Sequence, residues 1–166
     1  MRQIKANWTG PGFEMARRQR LLGQTNRDID MTTFEGPSRP VVLVIDDDGA
    51  VRRSLQFSLE LEGFETCAFA DAADFFRQPD VSPMACLVVD YILPGLDGLQ
   101  LIEELRERGS HSPAILITSQ PKPAVTAKAA TLGVTIVEKP LLGNTLVEEI
   151  KRSLAGVAAK SATQLP

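Results

Sequence analysis

Acidic residues directly follow two short apolar runs of this sequence. The three aspartates Asp46–Asp48 come after Val41–Ile45, and Asp90 comes after Ala85–Val89. Carboxylates at close range repel one another, so either one takes up a proton or a cation joins them. A hard divalent cation with oxygen ligands satisfies such a group, and Mg²⁺ suits a half-open site that water and phosphate oxygens complete. These residue types therefore indicate a magnesium site.

A hydroxyl and a lysine follow two further apolar runs. Thr118 comes after Ala114–Ile117, and Lys139 comes shortly after Val134–Val137. With the carboxylates they supply the parts for phosphoryl transfer: a carboxylate nucleophile, a bridging metal, and a lysine and a hydroxyl that hold the remaining oxygens. Asp90 suits the nucleophile because a shaped loop follows it. That loop, residues 93–98, has the sequence Leu-Pro-Gly-Leu-Asp-Gly, which allows tight or left-handed backbone beside a ligand.

The elements that position these residues form a regular alternation. Helical patterns follow polar caps at Asp48, Asp71 and Asp97, and Gln100 completes a capping box with Asp97. Five apolar runs alternate with these three helical patterns and with two later ones. The runs predict strands at Val41–Ile45, Phe64–Phe69, Ala85–Val89, Ala114–Ile117 and Val134–Val137. This pattern predicts an α/β fold, a flavodoxin-like doubly wound parallel sheet of order 2-1-3-4-5 with helices on both faces. We expect the site between strands 1 and 3, where the strand order reverses.

The chain divides into three segments by pattern. Residues 1–40 lack a sustained hydrophobic period and are rich in glycine and proline, which predicts a disordered or weakly structured extension with one short helix around Met15–Leu22. Residues 41–155 carry the alternation of strands and helices. Residues 156–166 are predicted to be a flexible tail.

Composition excludes several function classes. The net charge is −3, which argues against direct nucleic-acid binding. No apolar run approaches the roughly 18 residues of a membrane helix, and no secretory signal is visible, so a cytoplasmic location is expected. Cys67 and Cys86 have no metal or redox spacing and are predicted to be buried thiols.

As a set, the strand-end motifs resemble those of the response regulator receiver family of two-component signalling. The resemblance covers about residues 41–155. The motif sequences are closest to those of receivers that precede a helix-turn-helix output domain. The matching stretches are Val44–Asp48, Val88–Asp90 with Leu93–Gly98, Ile115–Thr118, and Glu138–Pro140.

The resemblance implies a function and a set of roles. Asp90 is expected to accept a phosphoryl group from a histidine kinase or a phosphotransfer protein, with Thr118 and Lys139 contacting that group. An unknown downstream protein and a phosphorylation-dependent dimer are the further expected partners. The implied Mg²⁺ ligands are the side chains of Asp47 and Asp90, Asp46 through water, and the backbone carbonyl of Ile92.

Some features depart from the family pattern. Ile136 stands where the family usually has Tyr or Phe, Ser119 stands where Ala or Gly is common, and Ile92 is apolar where many members are polar. Too few residues follow the last helix for an output domain, so an isolated receiver is expected. A phosphate-independent binding module on the same fold stays open as an alternative. A phosphatase of this fold is disfavoured, because it generally needs a second carboxylate where Ile92 stands.

We predict that residues 1–40 are dispensable for folding, because they lack the apolar period needed to join a core. A shortened chain that begins at Ser38 should unfold as cooperatively as the full chain in a thermal melt followed by circular dichroism. Loss of cooperative unfolding would show that the extension packs on the domain.

Overall fold

The computed structural model describes residues 39–77, 85–141 and 143–163. The predicted extension before Arg39, with its short helix around Met15–Leu22, lies outside the described residues. The elements, in chain order, are β1 Val41–Ile45, α1 Gly49–Leu61, β2 Glu65–Phe69, α2 Ala72–Phe76, β3 Cys86–Asp90, α3 Gly98–Glu107, β4 Ala114–Thr118, α4 Pro123–Thr131, β5 Thr135–Glu138 and α5 Thr145–Thr163.

The sheet has the predicted architecture. Its five strands are parallel and lie in the order β2-β1-β3-β4-β5, which confirms the flavodoxin-like order. Alternate residues of the buried strands face opposite sides, as the two-residue period of a strand requires. Leu43 and Ile45 of β1 pack in the cluster that includes α2, α3 and α4, whereas Val42 and Val44 pack with α1 and α5. Helices therefore cover both faces.

The predicted polar caps begin the helices. Asp48 Oδ1 accepts hydrogen bonds from the backbone N–H groups of Ala50 at 2.7 Å and Val51 at 3.3 Å. The capping box at α3 is complete, because Asp97 Oδ1 accepts from the Gln100 N–H at 2.9 Å and Gln100 Oε1 accepts from the Asp97 N–H at 2.8 Å. Each such cap stabilises its helix by about 1 kcal/mol and fixes where the preceding loop ends.

Three strands, β3, β4 and β5, end one residue later than their apolar runs predict. Asp90 and Thr118 are the last residues of β3 and β4, because Asp90 still pairs with Ile117 and Thr118 still pairs with Glu138. A hydrophobic pattern ends at the last apolar residue, whereas the backbone ladder continues for as long as a neighbouring strand offers partners. These polar residues are therefore held by the sheet itself.

The last helix is also longer than predicted. α5 continues to Thr163, so residues 156–163 of the predicted flexible tail are helical. Four of the residues from Ala155 to Thr163 are alanine, the residue with the highest helix propensity, which explains the extension. None of the described helices is long and apolar enough to cross a membrane.

Candidate functional site

The predicted site residues meet at one edge of the sheet. Asp46 directly follows β1, Asp90 ends β3 and Thr118 ends β4. The strands are parallel, so their carboxyl ends lie at the same edge, where β1 and β3 are neighbours. Asp46, Asp47 and Asp90 each offer one carboxylate oxygen, and these three oxygens lie within 4.8 Å of one another. The convergence that the sequence predicts is present.

Lys139 bridges two of these carboxylates. Its Nζ lies 2.7 Å from Asp90 Oδ1 and 3.3 Å from Asp46 Oδ2. Burial lowers the pKa of Lys139, but the hydrogen bond and negative charge of Asp90, followed by the charge of Asp46, outweigh it, and the net pKa is raised. Lys139 therefore stays an ammonium ion. Its backbone N–H donates to the carbonyl of Thr118 at 2.8 Å, which fixes its loop to the end of β4.

The three carboxylates differ in environment. Asp46 is only 1% exposed, and its Oδ1 accepts the Asp48 N–H at 2.8 Å. Burial raises the pKa of Asp46, against the hydrogen bond from Asp48 and the charge of Lys139, which lower it. Asp90 is also buried, and its Oδ2 accepts the Ile92 N–H at 3.1 Å. Asp47 is exposed, so the site is open to solvent on that side.

Backbone hydrogen bonds fix the loop that follows Asp90. The N–H of Tyr91 donates to the Ile117 carbonyl, and the N–H of Gly98 donates to the Tyr91 carbonyl, each at 2.9 Å. Gly95 has a φ of 86°, the left-handed conformation that glycine adopts without strain. Gly98 is needed for space, because a Cβ there would lie 2.3 Å from the carbonyl oxygen of Asp90. The first residue of helix α3 can therefore pack closely against the backbone of Asp90, the candidate nucleophile.

The donor set fits Mg²⁺. Three carboxylates meet one lysine, and among the described residues only Lys139 forms an ion pair with any of them. When all are ionised, the cluster retains two negative charges, the charge that one divalent cation neutralises. Carboxylate oxygens are the protein ligands that Mg²⁺ prefers, and the exposed side at Asp47 leaves room for the waters and phosphate oxygens that complete its shell.

Comparison with known proteins identifies the family. Residues 42–151 match the family model described as the response regulator receiver domain. The chain belongs to this family. It therefore carries a receiver domain of the kind found in two-component response regulators.

Several proteins that are similar to this chain are named as transcriptional regulatory proteins. The chain is 35% identical over 119 residues to the transcriptional regulatory protein FixJ of Azorhizobium caulinodans, covering 71% of this chain and 56% of FixJ. It is 32% identical to the C4-dicarboxylate transport regulator DctD of Pseudomonas aeruginosa, covering 68% of this chain and 25% of DctD. Full-length FixJ from B. japonicum superimposes with a TM-score of 0.68 at 33% identity, and the match covers 75% of this chain and 63% of that chain. This receiver chain thus spans about half the length of the first relative.

Two residues that depart from the family pattern have different environments. The side chain of Ile92, two residues after Asp90, is 72% exposed. Ile136 on β5 is partly buried and packs against the core cluster on the α4 side of the sheet. The structure thus gives position 136 an aliphatic contact with the core where an aromatic ring is usual.

One residue of the site is missed by sequence reasoning. Arg52 on α1 donates from a guanidinium nitrogen to the backbone carbonyl of Asp46 at 2.6 Å. The sequence pattern predicts a helix after the cap at Asp48 and gives Arg52 no role in the site. The available signal was the position of a long basic side chain in the first turn of a capped helix, since helical side chains point back toward the helix N-terminus.

We predict that Gly98→Ala destabilises the domain by about 1–3 kcal/mol, because the new Cβ must displace the Asp90 backbone. The matched control is Gly156→Ala on α5, where a Cβ meets nothing within 4 Å. That control should be stabilised by about 0.5–1 kcal/mol, since alanine replaces glycine within a helix. Urea unfolding followed by circular dichroism measures both. A Gly98→Ala midpoint equal to the wild-type midpoint would contradict the close packing.

Proposed function

We propose that this receiver accepts a phosphoryl group on Asp90 from a histidine kinase or a phosphotransfer protein, in a reaction that depends on Mg²⁺. The observation that carries the proposal is the placement of Asp90. Its buried carboxylate lies 2.7 Å from the Lys139 ammonium and shares a 4.8 Å cluster with Asp46 and Asp47. A carboxylate beside a cation and a metal-binding cluster has what an acyl phosphate needs to form.

Each group has a definite part in the transfer. A carboxylate oxygen of Asp90 forms a bond to phosphorus while the bond from phosphorus to the donor breaks. Lys139 and the Thr118 hydroxyl contact the phosphoryl oxygens and offset the charge that the transfer brings to the strand ends. The domain takes up one phosphoryl group and later loses it, so it acts as a switch rather than as an enzyme with a separate substrate.

The residues that would hold Mg²⁺ are those of the acidic cluster. The proposed ligands are the carboxylates of Asp47 and Asp90, the backbone carbonyl of Ile92, and water held by Asp46. Bound there, Mg²⁺ would supply positive charge that offsets the carboxylates and the incoming phosphoryl group. The lysine alone leaves the cluster negative, which would repel an anionic phosphoryl donor.

The proposed output is a change in protein–protein interaction. Ile136 is β-branched and stiff at χ1, so it offers no aromatic ring to expose or bury. The Lys139 N–H already binds the Thr118 carbonyl. Contacts from both side chains to a phosphoryl group would therefore move the loops after β4 and β5 together, biasing a population of conformations over residues 118–140. The proposed partners are the phosphodonor, a downstream protein and a second copy of the chain, in the cytoplasm and without direct contact to nucleic acid.

The second candidate is a binding module that keeps the fold and does not need phosphate. Ile136 is the observation that favours it, because the usual aromatic switch is absent at that position. The complete strand-end set favours the phosphoacceptor instead. Phosphodonor labelling separates the two candidates directly.

We predict that Asp90→Asn abolishes phosphorylation, because the amide keeps the shape of the side chain but loses the nucleophile. The chain is incubated with acetyl phosphate and Mg²⁺ and separated on a phosphate-affinity gel. The matched control is Asp97→Asn in the same loop, since asparagine caps a helix as well as aspartate does. The control should be phosphorylated like the wild type. Wild-type incorporation by Asp90→Asn would contradict the assignment, and no incorporation by the wild-type chain would favour the binding module.

A further inference from the structure

The backbone carbonyl of Asp46 lies beyond the end of β1 and is not paired within the strand ladder. β1 ends at Ile45, and the Asp46 N–H still reaches the Phe69 carbonyl of β2 at 3.3 Å. A buried carbonyl beyond the end of a ladder must find its partner elsewhere. Here the partner is the guanidinium of Arg52, at 2.6 Å. A charge-assisted hydrogen bond of this length is among the stronger ones in proteins.

This contact closes a short ring of backbone and side-chain bonds. The Arg52 N–H donates to the Asp48 carbonyl at 2.9 Å, as the first turn of α1 requires. The Asp48 N–H donates to Asp46 Oδ1 at 2.8 Å. Arg52 therefore holds both Asp46 and Asp48, one by its side chain and one by its backbone. Asp47 lies between two residues that are fixed.

The ring of hydrogen bonds matters for the cation site because Asp47 lies within it. Its carboxylate is the exposed member of the acidic cluster and the proposed open-side ligand. The peptide unit that Arg52 binds joins Asp46 to Asp47, so the guanidinium sets the plane from which Asp47 projects. Mg²⁺ demands near-ideal octahedral geometry, whereas Ca²⁺ accepts a range of ligand positions. A small rotation of this peptide would therefore cost Mg²⁺ more than Ca²⁺.

We propose that Arg52 is a positioning residue for the cation site: its guanidinium binds the Asp46 carbonyl and thereby presents the Asp47 carboxylate at the geometry Mg²⁺ requires. The inference rests on the proposed function of the acidic cluster. Arg52 acts through the Asp46–Asp47 peptide, in the way that outer groups orient metal ligands and tune affinity.

The neighbouring residue supplies a matched control. Arg53 carries the same charge on the same turn of α1 and is exposed. Both guanidinium groups lie near Gly49: a Cβ built there would be 3.3 Å from Arg53 and 3.5 Å from Arg52. Among the described residues, the hydrogen bond to the Asp46 carbonyl comes from Arg52. Removing either arginine takes one positive charge from the N-terminal part of α1, the helix that follows Asp46–Asp48 in the chain. Simple electrostatics therefore predicts tighter cation binding in both variants, whereas positioning predicts weaker binding in Arg52→Gln alone.

Isothermal titration of the full chain with MgCl₂ and with CaCl₂ tests the proposal. Arg52→Gln should raise the Mg²⁺ dissociation constant roughly tenfold, the lower end of the loss on removing an outer-shell partner, and the Ca²⁺ constant less. Arg53→Gln should leave the Mg²⁺ constant unchanged or slightly lower. Arg52→Lys, which keeps the charge and one donor group but not the planar fork, should fall between wild type and Arg52→Gln.

Several outcomes would overturn the positioning role. Wild-type or tighter Mg²⁺ binding by Arg52→Gln is one, and an equal loss in Arg53→Gln is another. An equal loss for Ca²⁺ and Mg²⁺ is a third, because it would indicate general damage to the site. If circular dichroism shows that Arg52→Gln is unfolded, Arg52→Lys decides, and wild-type Mg²⁺ affinity in that variant rejects the proposal.

The same titration separates this inference from the proposed function. A wild-type chain that binds Mg²⁺ but takes no phosphoryl group from acetyl phosphate would remove the phosphoacceptor role and leave the role of Arg52 standing. A wild-type chain that does not bind Mg²⁺ would remove both. Mg²⁺-dependent phosphorylation of the wild type together with unchanged binding in Arg52→Gln would remove only the role of Arg52.

Discussion

The close approach of Asp46, Asp47 and Asp90 is the constraint on which the site depends. Two of these carboxylates are buried, and Lys139 is placed to contact both. The loop that follows β5 must carry this lysine past the end of β4 to reach them, and the bond between the Lys139 N–H and the Thr118 carbonyl holds it there. The strand order brings the three carboxylates together and so creates a local excess of negative charge. The loop after β5 then places the positively charged Lys139 against it. A cluster of this kind gains from a divalent cation whatever else the domain does.

Much of this arrangement could be predicted from the sequence, because it follows from periodicity and from caps. Continuous apolar runs predict buried parallel strands, and the five βα units leave few topologies, so the strand order and the meeting of Asp46 with Asp90 follow together. The caps at Asp48 and Asp97 are local: each depends on residues two or three positions away. Such short-range signals transfer well from sequence to structure.

The remaining features depend on three-dimensional contacts that no local pattern carries. The last strand residues, Asp90 and Thr118, are set by backbone pairing with a neighbour, which a hydrophobic pattern does not report. The sequence around Gly98 indicates only a tight turn, whereas the structure shows that this glycine leaves space for the Asp90 carbonyl. The contact of Arg52 with Asp46 joins a side chain to a backbone carbonyl six residues away and depends on a rotamer. The part of α5 beyond residue 155 has no amphipathic period that would predict a helix, although its alanines favour one by propensity.

We propose that the strand-end carboxylates form a cation site that Lys139 leaves incompletely neutralised. Thermal melts of wild type and Asp47→Asn over a range of MgCl₂ concentrations test it most directly, with Asp74→Asn on α2 as a control outside the cluster. Because a ligand that binds only the folded state stabilises it by mass action, the melting temperature of wild type and of Asp74→Asn should rise with Mg²⁺ concentration. That of Asp47→Asn should rise much less. An equal rise in all three chains, or none in the wild type, would contradict the account.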